Sequence, residues 1–242
     1  MKTSLKSTLL LTITFLSFTI SQAQWRKIKG NGTMTTENRS TADYDAVSCA
    51  GSFDYKLVAG TEGQITLEGE SNLLQYIITE VKNGTLYIKT ENNKNISSSR
   101  NKTIKVTIPF KELNRVSLYG SGDLWNEDQI TATNFEVSLS GSGDVVLHVQ
   151  SKNLSGSITG SGDLTLKGET TNLEAKITGS GDLHAFELDT IDTAISVTGS
   201  GDAKVVCNGQ FKARVTGSGD IEYKGNPTNT DSKVSGSGSI QN

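Results

Sequence analysis

The chain has 242 residues, with 23 Lys and Arg against 26 Asp and Glu, a formal net charge of −3 and only 34% hydrophobic residues. That balance argues against a nucleic-acid partner or an anionic membrane surface. Glycine numbers 25, and 14 of these fall in one repeated motif, which marks a repeat protein and not low-complexity disorder.

Lys2 and Lys6, an apolar run from Leu9 to about Ile20, and Ser21-Gln22-Ala23 read as a secretory signal over residues 1–23. The run is too short and too rich in hydroxyls for a membrane span. Cleavage leaves Gln24 first, with no Cys to carry a lipid, and 21 basic against 26 acidic residues. The mature protein is expected to be exported, to the periplasm or the cell surface, and not to span a membrane.

Residues 24–41 are polar and aperiodic, a flexible lead-in by expectation. Strand-like runs follow at Ala46–Ala50, Tyr55–Ala59, Gln64–Glu68, Tyr76–Val81, Leu86–Lys89 and Thr103–Ile108. Asn83-Gly84 between two of them predicts a hairpin, and Glu91 to Lys102 reads as an exposed loop.

From residue 115 the repeat takes over, with Gly-Ser-Gly-Asp starting at Gly120, Gly141, Gly160, Gly179, Gly199 and Gly217. A seventh copy, starting at Gly236, ends in Ser239. Counting from the first Gly, offset −2 holds Leu118, Leu139, Ile158, Ile177, Val197, Val215 and Val234. Offset +4 holds Leu124, Val145, Leu164, Leu183, Ala203, Ile221 and Ile240. Alternation of period two on both sides of the motif makes each copy a strand, a bend and a second strand. A unit of about 19 residues, at roughly 3.3 Å per residue, makes one turn of a small prism, and successive turns stack. The fold class is therefore all-β, a parallel β-helix. Gly51-Ser52-Phe53-Asp54 is a degraded copy in the same phase, so residues 42–242 are expected to form one β-helix domain with a hairpin-decorated N-terminal half. Cys49 and Cys207 in an exported chain invite a disulfide, but both fall on the inward phase several rungs apart, so buried free thiols are expected.

The outward offsets form columns: Ser or Thr just before the motif, with Tyr119 the exception, the motif serines, and Asp123, Asp144, Asp163, Asp182, Asp202 and Asp220. Carboxylates on the order of 5 Å apart repel by roughly 0.9 kcal/mol per pair in water. Backbone N–H groups at the bend, accepted as in Asx turns, would offset this. The alternative is Ca²⁺ bridging the aspartates, although the G-G-x-G-x-D pattern of calcium-binding β-rolls is missing. Equivalent, evenly spaced aspartates make no catalytic cluster. His148 and His184 stand at different offsets two rungs apart and make no ligand pair. Gly-Ser-Gly-Asp is not a nucleophile elbow. No enzyme activity, catalytic residue or cofactor is expected. Trp125 is an isolated surface aromatic.

The signal, the Asn-Gly-Thr-Leu-Tyr-Ile segment and Gly-Ser-Gly-Asp every 19 or so residues resemble the "putative auto-transporter adhesin, head GIN domain" family of exported, mainly Bacteroidetes-type proteins. The resemblance covers roughly Tyr44 to Tyr223 and implies a right-handed parallel β-helix and an adhesin role. No ten-residue alternating barrel strands follow the repeats, so crossing an outer membrane would need separate machinery. The leading expectation is a non-enzymatic module presenting its Ser/Thr/Asp face to a surface ligand, a glycan or a protein. The alternatives are a purely structural envelope solenoid and a calcium-binding repeat. The last rung, ending near Ile240 without an evident cap, offers an open edge for self-association.

Overall fold

The structure, a computed structural model, describes residues 27–242. The expected signal segment, residues 1–23, lies outside the described residues. The described residues are all-β with one short helix, wound into a parallel β-solenoid of about 7 turns with rungs of about 19 residues.

The repeat half is built from β10 (Arg115–Gly120), β11 (Leu124–Asn126), β12 (Ile130–Gly141), β13 (Val145–Gly160), β14 (Leu164–Gly179), β15 (Leu183–Gly199), β16 (Ala203–Val206), β17 (Gln210–Gly217), β18 (Ile221–Lys224), β19 (Asn229–Gly236) and β20 (Ile240–Gln241). β13, β14 and β15 each begin four residues after the first Gly of one motif and end on the first Gly of the next. Neighbouring rungs pair in parallel, residue on equivalent residue: Val145 on Leu164, Ile158 on Ile177, Gly160 on Gly179. Val145, Leu147 and Val149 are buried, then Leu154 and Ile158. The inward phase therefore slips by one near Lys152, which drops out of the ladder, as do Thr133, Thr171 and Ile191. That slip is a second corner, opposite the Gly-Ser-Gly-Asp corner. Burying each inner aliphatic contributes about 1.5–3 kcal/mol relative to leaving it exposed, so the inner row holds the rungs together.

Unequal spacings are absorbed away from the motif. The 20-residue rung carries a register shift near Thr165 and Lys167. The extra residues after Gly120 go into the connection from β11 to β12. Every Gly-Ser-Gly-Asp corner stays in register.

The N-terminal half contains β1 (Ile28–Lys29), β2 (Met34–Ser40), β3 (Ala46–Gly51), β4 (Asp54–Ala59), β5 (Gln64–Glu70), α1 (Ser71–Leu74), β6 (Ile77–Lys82), β7 (Thr85–Thr90), β8 (Ile96–Ser97) and β9 (Lys105–Phe110). β3 and β4 are the degraded copy and stack directly on β10 and β11, with Gly51 on Gly120 and Tyr55 on Leu124. The chain then passes underneath: β7 pairs with β3 and β9 with β4, both in parallel. Stack order and chain order thus differ here, whereas the sequence suggested successive turns throughout. β6 on β7, and β5 on β9 with β2 beyond, run antiparallel and close this end. The β6–β7 hairpin turns on Asn83 (φ 51°) and Gly84 (φ 72°), the positive pair that a two-residue type I′ turn requires.

Two polar segments correct the expected picture. Residues 34–40 of the supposed flexible lead-in form β2, paired along its whole length with β5. The Arg39 guanidinium donates to the Leu74 carbonyl at 2.8 Å and to the Ile77 carbonyl. Glu70, 1% exposed, accepts from the Gly32 N–H (2.5 Å), the Ser99 N–H (2.8 Å) and the Ser99 hydroxyl (2.7 Å). The supposed loop 91–102 likewise contains β8, paired with β1. Polar side chains, and not an apolar alternation, fix both segments. Cys49 and Cys207 are free and buried, and burial pushes the Cys49 thiol well above its ordinary pKa. At the other end all of β19 is exposed, and its inner positions Thr230 and Ser232 replace the Phe211 and Ala213 of the rung below.

Candidate functional site: the Gly-Ser-Gly-Asp corner

Both motif glycines are dictated by the rung below. The first has φ between 124° and 137° in all seven copies, a region closed to side chains with a Cβ. The second has ordinary φ, but a Cβ on Gly162 would lie 3.0 Å from the Gly143 carbonyl carbon and nearer still to its oxygen. The Gly141 carbonyl receives the N–H groups of both Ser161 (2.8 Å) and Gly162 (3.1 Å), so the backbones are clamped at that distance. The degraded copy shows the same logic inverted. Its second glycine is replaced by Phe53, buried at 3% exposure, with its ring under Gly51 and tilted against Tyr55 at 6.2 Å.

On this rigid corner the motif serines are exposed in every copy from Ser121 to Ser237. The preceding hydroxyls, Thr159, Thr178, Thr198, Thr216 and Ser235, are exposed too, with Ser140 half-buried. The aspartates form a continuous ladder. The N–H of Asp144 donates to the Asp123 carboxylate at 3.1 Å, and the pattern repeats for Asp163 on Asp144 (3.0 Å) and Asp182 on Asp163 (2.9 Å). It continues with Asp202 on Asp182 (2.7 Å) and Asp220 on Asp202 (2.8 Å). Ser239 ends the ladder, its N–H and hydroxyl both donating to Asp220, at 2.6 and 2.8 Å. Backbone N–H groups therefore do donate to the carboxylates, but each donor belongs to the next rung and not to the same bend as an Asx turn would have it. One oxygen, Oδ1, is engaged in this way, which leaves Oδ2 of each carboxylate to other partners.

The histidines part company. His148 is held by the 126–130 connection: its N–H donates to Asn126 Oδ1 at 2.8 Å, and its Nε2 lies 3.2 Å from Gln129 Nε2. The His184 Nε2 lies 4.0 Å from Asp163 Oδ2. Trp125 is half-buried, with the Lys105 ammonium over its ring at 5.4 Å.

Sequence reasoning missed the second corner. There Asn153 donates to Asn134 and Asn172 to Asn153, each at 2.7 Å, and Ser151 donates to Thr170 at 3.0 Å. A groove of about 820 Å³ runs beside it, lined among others by Gln150, Lys152, Glu169 and Asp189. The signal was present seven residues before each motif from Gly141 onward, as Asn134, Asn153, Asn172, Asp192, Gln210 and Asn229.

The family model described as "Putative auto-transporter adhesin, head GIN domain" matches residues 43–227. The chain belongs to this family. Among solved structures, a "putative adhesin" from Bacteroides fragilis is similar at 25% identity and a TM-score of 0.82, covering 89% of this chain and 99% of that one. A "putative lipid binding protein" from Parabacteroides distasonis is similar at 26% identity and a TM-score of 0.74, with the same coverage. A "putative adhesin" from the same species gives 25% identity and a TM-score of 0.69, again with 89% and 99% covered. No curated protein matches the sequence. Among the described residues, no helix of this head GIN domain protein is long and apolar enough to cross a membrane.

Proposed function

We propose that the protein is an exported, non-enzymatic binding module that holds a surface glycan or protein against the Gly-Ser-Gly-Asp corner. The observation that carries this reading is the pair of exposed hydroxyl columns held in register on a backbone that glycine contacts make rigid. Hydroxyls donate and accept, and a column repeating every 4.7–4.9 Å or so suits a partner that itself repeats. Preorganisation lowers the ordering cost of binding, and many weak, linked contacts add up to avidity. The adhesin names of the family and of two structural neighbours support the same reading. Export through residues 1–23 fits it as well, and fractionation of cells with and without that segment tests this part.

For the corner itself, Thr159, Thr178 and Thr198 are replaced together by Val, which keeps shape and removes the hydroxyls. Binding of wild type and variant to arrayed glycans and to isolated cell envelopes is then compared. The reading expects binding to fall while the melting transition stays in place. Unchanged binding by the folded variant would leave the corner a purely structural device.

A further inference from the structure

Two residues beyond each aspartate, and beyond Ser239 in the last copy, at offset +5, the rungs carry Trp125, Val146, Thr165, His184, Lys204, Glu222 and Gln241. One imidazole therefore stands beside the carboxylate ladder. A carboxylate oxygen from Asp163, one from Asp182 and an imidazole nitrogen of His184 all lie within 4.8 Å of one another, and all three residues are half-buried. The two carboxylates are already aimed: Asp163 Oδ1 takes the Asp182 N–H and Asp182 Oδ1 takes the Asp202 N–H. Their second oxygens sit on a corner that cannot easily relax. With bonds of roughly 2.0–2.2 Å, ligand atoms around one ion lie about 3–4 Å apart, so small side-chain rotations close the set. Imidazole with carboxylate suits zinc, nickel, iron or copper, whereas calcium requires six to eight oxygens, more than one pair of rungs offers here. We propose that Asp163, Asp182 and His184 bind one divalent transition-metal ion. Three protein ligands leave coordination positions open, as in zinc sites that act on other groups. Lys204 lies next to His184 in the ladder and is the positive charge that an incoming ion must tolerate.

The test is calorimetry of chelator-treated protein with Zn²⁺, Ni²⁺ and Ca²⁺ in turn, alongside His184→Ala, Asp182→Asn and Asp123→Asn. The proposal expects a single equivalent of Zn²⁺ or Ni²⁺ at micromolar affinity and a Zn²⁺-dependent rise in melting temperature. His184→Ala should weaken binding at least about 100-fold, since even outer-shell losses reach 10–100-fold. Asp182→Asn should weaken it too, Asp123→Asn should leave it unchanged, and the His184 imidazole resonances should shift on titration. No heat at millimolar Zn²⁺, binding untouched by His184→Ala, or several equivalents of Ca²⁺ spread along the column would each overturn it.

Discussion

Replacing Gly162 by Ala puts one methyl group against the rung below, and its cost follows from the geometry. The added Cβ would stand 3.0 Å from the Gly143 carbonyl carbon, against a comfortable carbon–carbon separation of about 3.5–4.0 Å. The obstacle is backbone, so no side chain can swing away. The Gly143 carbonyl oxygen stands nearer still, so the corner must open by more than about 1 Å, which stretches the Ser161 and Gly162 N–H bonds to Gly141 from 2.8 and 3.1 Å beyond useful range. Overpacking costs about 1–3 kcal/mol, and two weakened hydrogen bonds cost about 0.5–1.5 kcal/mol each. Loss of unfolded-chain entropy returns about 0.4–1 kcal/mol, so the net is roughly 1–5.5 kcal/mol. Urea unfolding followed by circular dichroism reads this as a lower midpoint. Ser161→Ala, one residue away and exposed, is the control and should stay within about 0.5 kcal/mol of wild type. If Gly162→Ala also stayed within that margin, glycine-on-glycine stacking would not be what holds the corner.

Asp163→Ala leaves the Asp182 N–H without its acceptor and should lower stability by about 1 kcal/mol, while Asp163→Asn keeps an acceptor, removes repulsion and should be close to neutral; equal losses for both would argue against the ladder. The native protein should leave both thiols untouched by a thiol-specific reagent, and both should react in denaturant, because Cys49 and Cys207 are buried; rapid native reaction would contradict that burial. The Glu70 carboxyl lies below its ordinary value of 4.5, lowered chiefly by the Ser99 hydroxyl and also by the N–H groups of Ser99 and Gly32. A folded value below the unfolded one stabilises at pH above about 4.5 and loses that contribution as pH falls through the folded value. Amide exchange in β1 and β2 should therefore quicken on acidification before it does in β13 and β14, and Glu70→Gln should flatten the difference.

The repeat half was legible because one rule governs it. Leu139 and Val145 point inward for the same reason that Val215 and Ile221 do, and period-two burial places them without knowledge of their neighbours. The head GIN domain family was legible from the same motif. What lay beyond reach depends on which backbones meet. Nothing in the spacing says that β7 and β9 pass beneath β3 and β4, although Phe53 in place of a glycine hinted that its rung differs from the others. β2 hid because Arg39 and Glu70 secure its end of the fold through main-chain atoms distant in sequence. The aspartates were found, but their donors were assigned to the wrong rung, since a turn residue does not reveal which N–H it accepts. His184 escaped because its carboxylate neighbour, Asp163, belongs to the preceding rung at a different offset.

In-register stacking of the corner, including its long-range first step, is the claim on which the face and its chemistry rest. Ser52 Oγ and Ser121 Oγ lie 3.1 Å apart although 69 residues separate them in sequence. Adjacent rungs lie about 4.7–4.9 Å apart, inside the roughly 4.4–6.8 Å between Cα atoms that a disulfide spans. Mild oxidation of Ser52→Cys/Ser121→Cys, read by mass spectrometry of the digested, folded protein, should give a quantitative cross-link. Ser52→Cys/Ser142→Cys, two rungs apart, should give none. A link in the second pair, or its absence from the first, would contradict the stack.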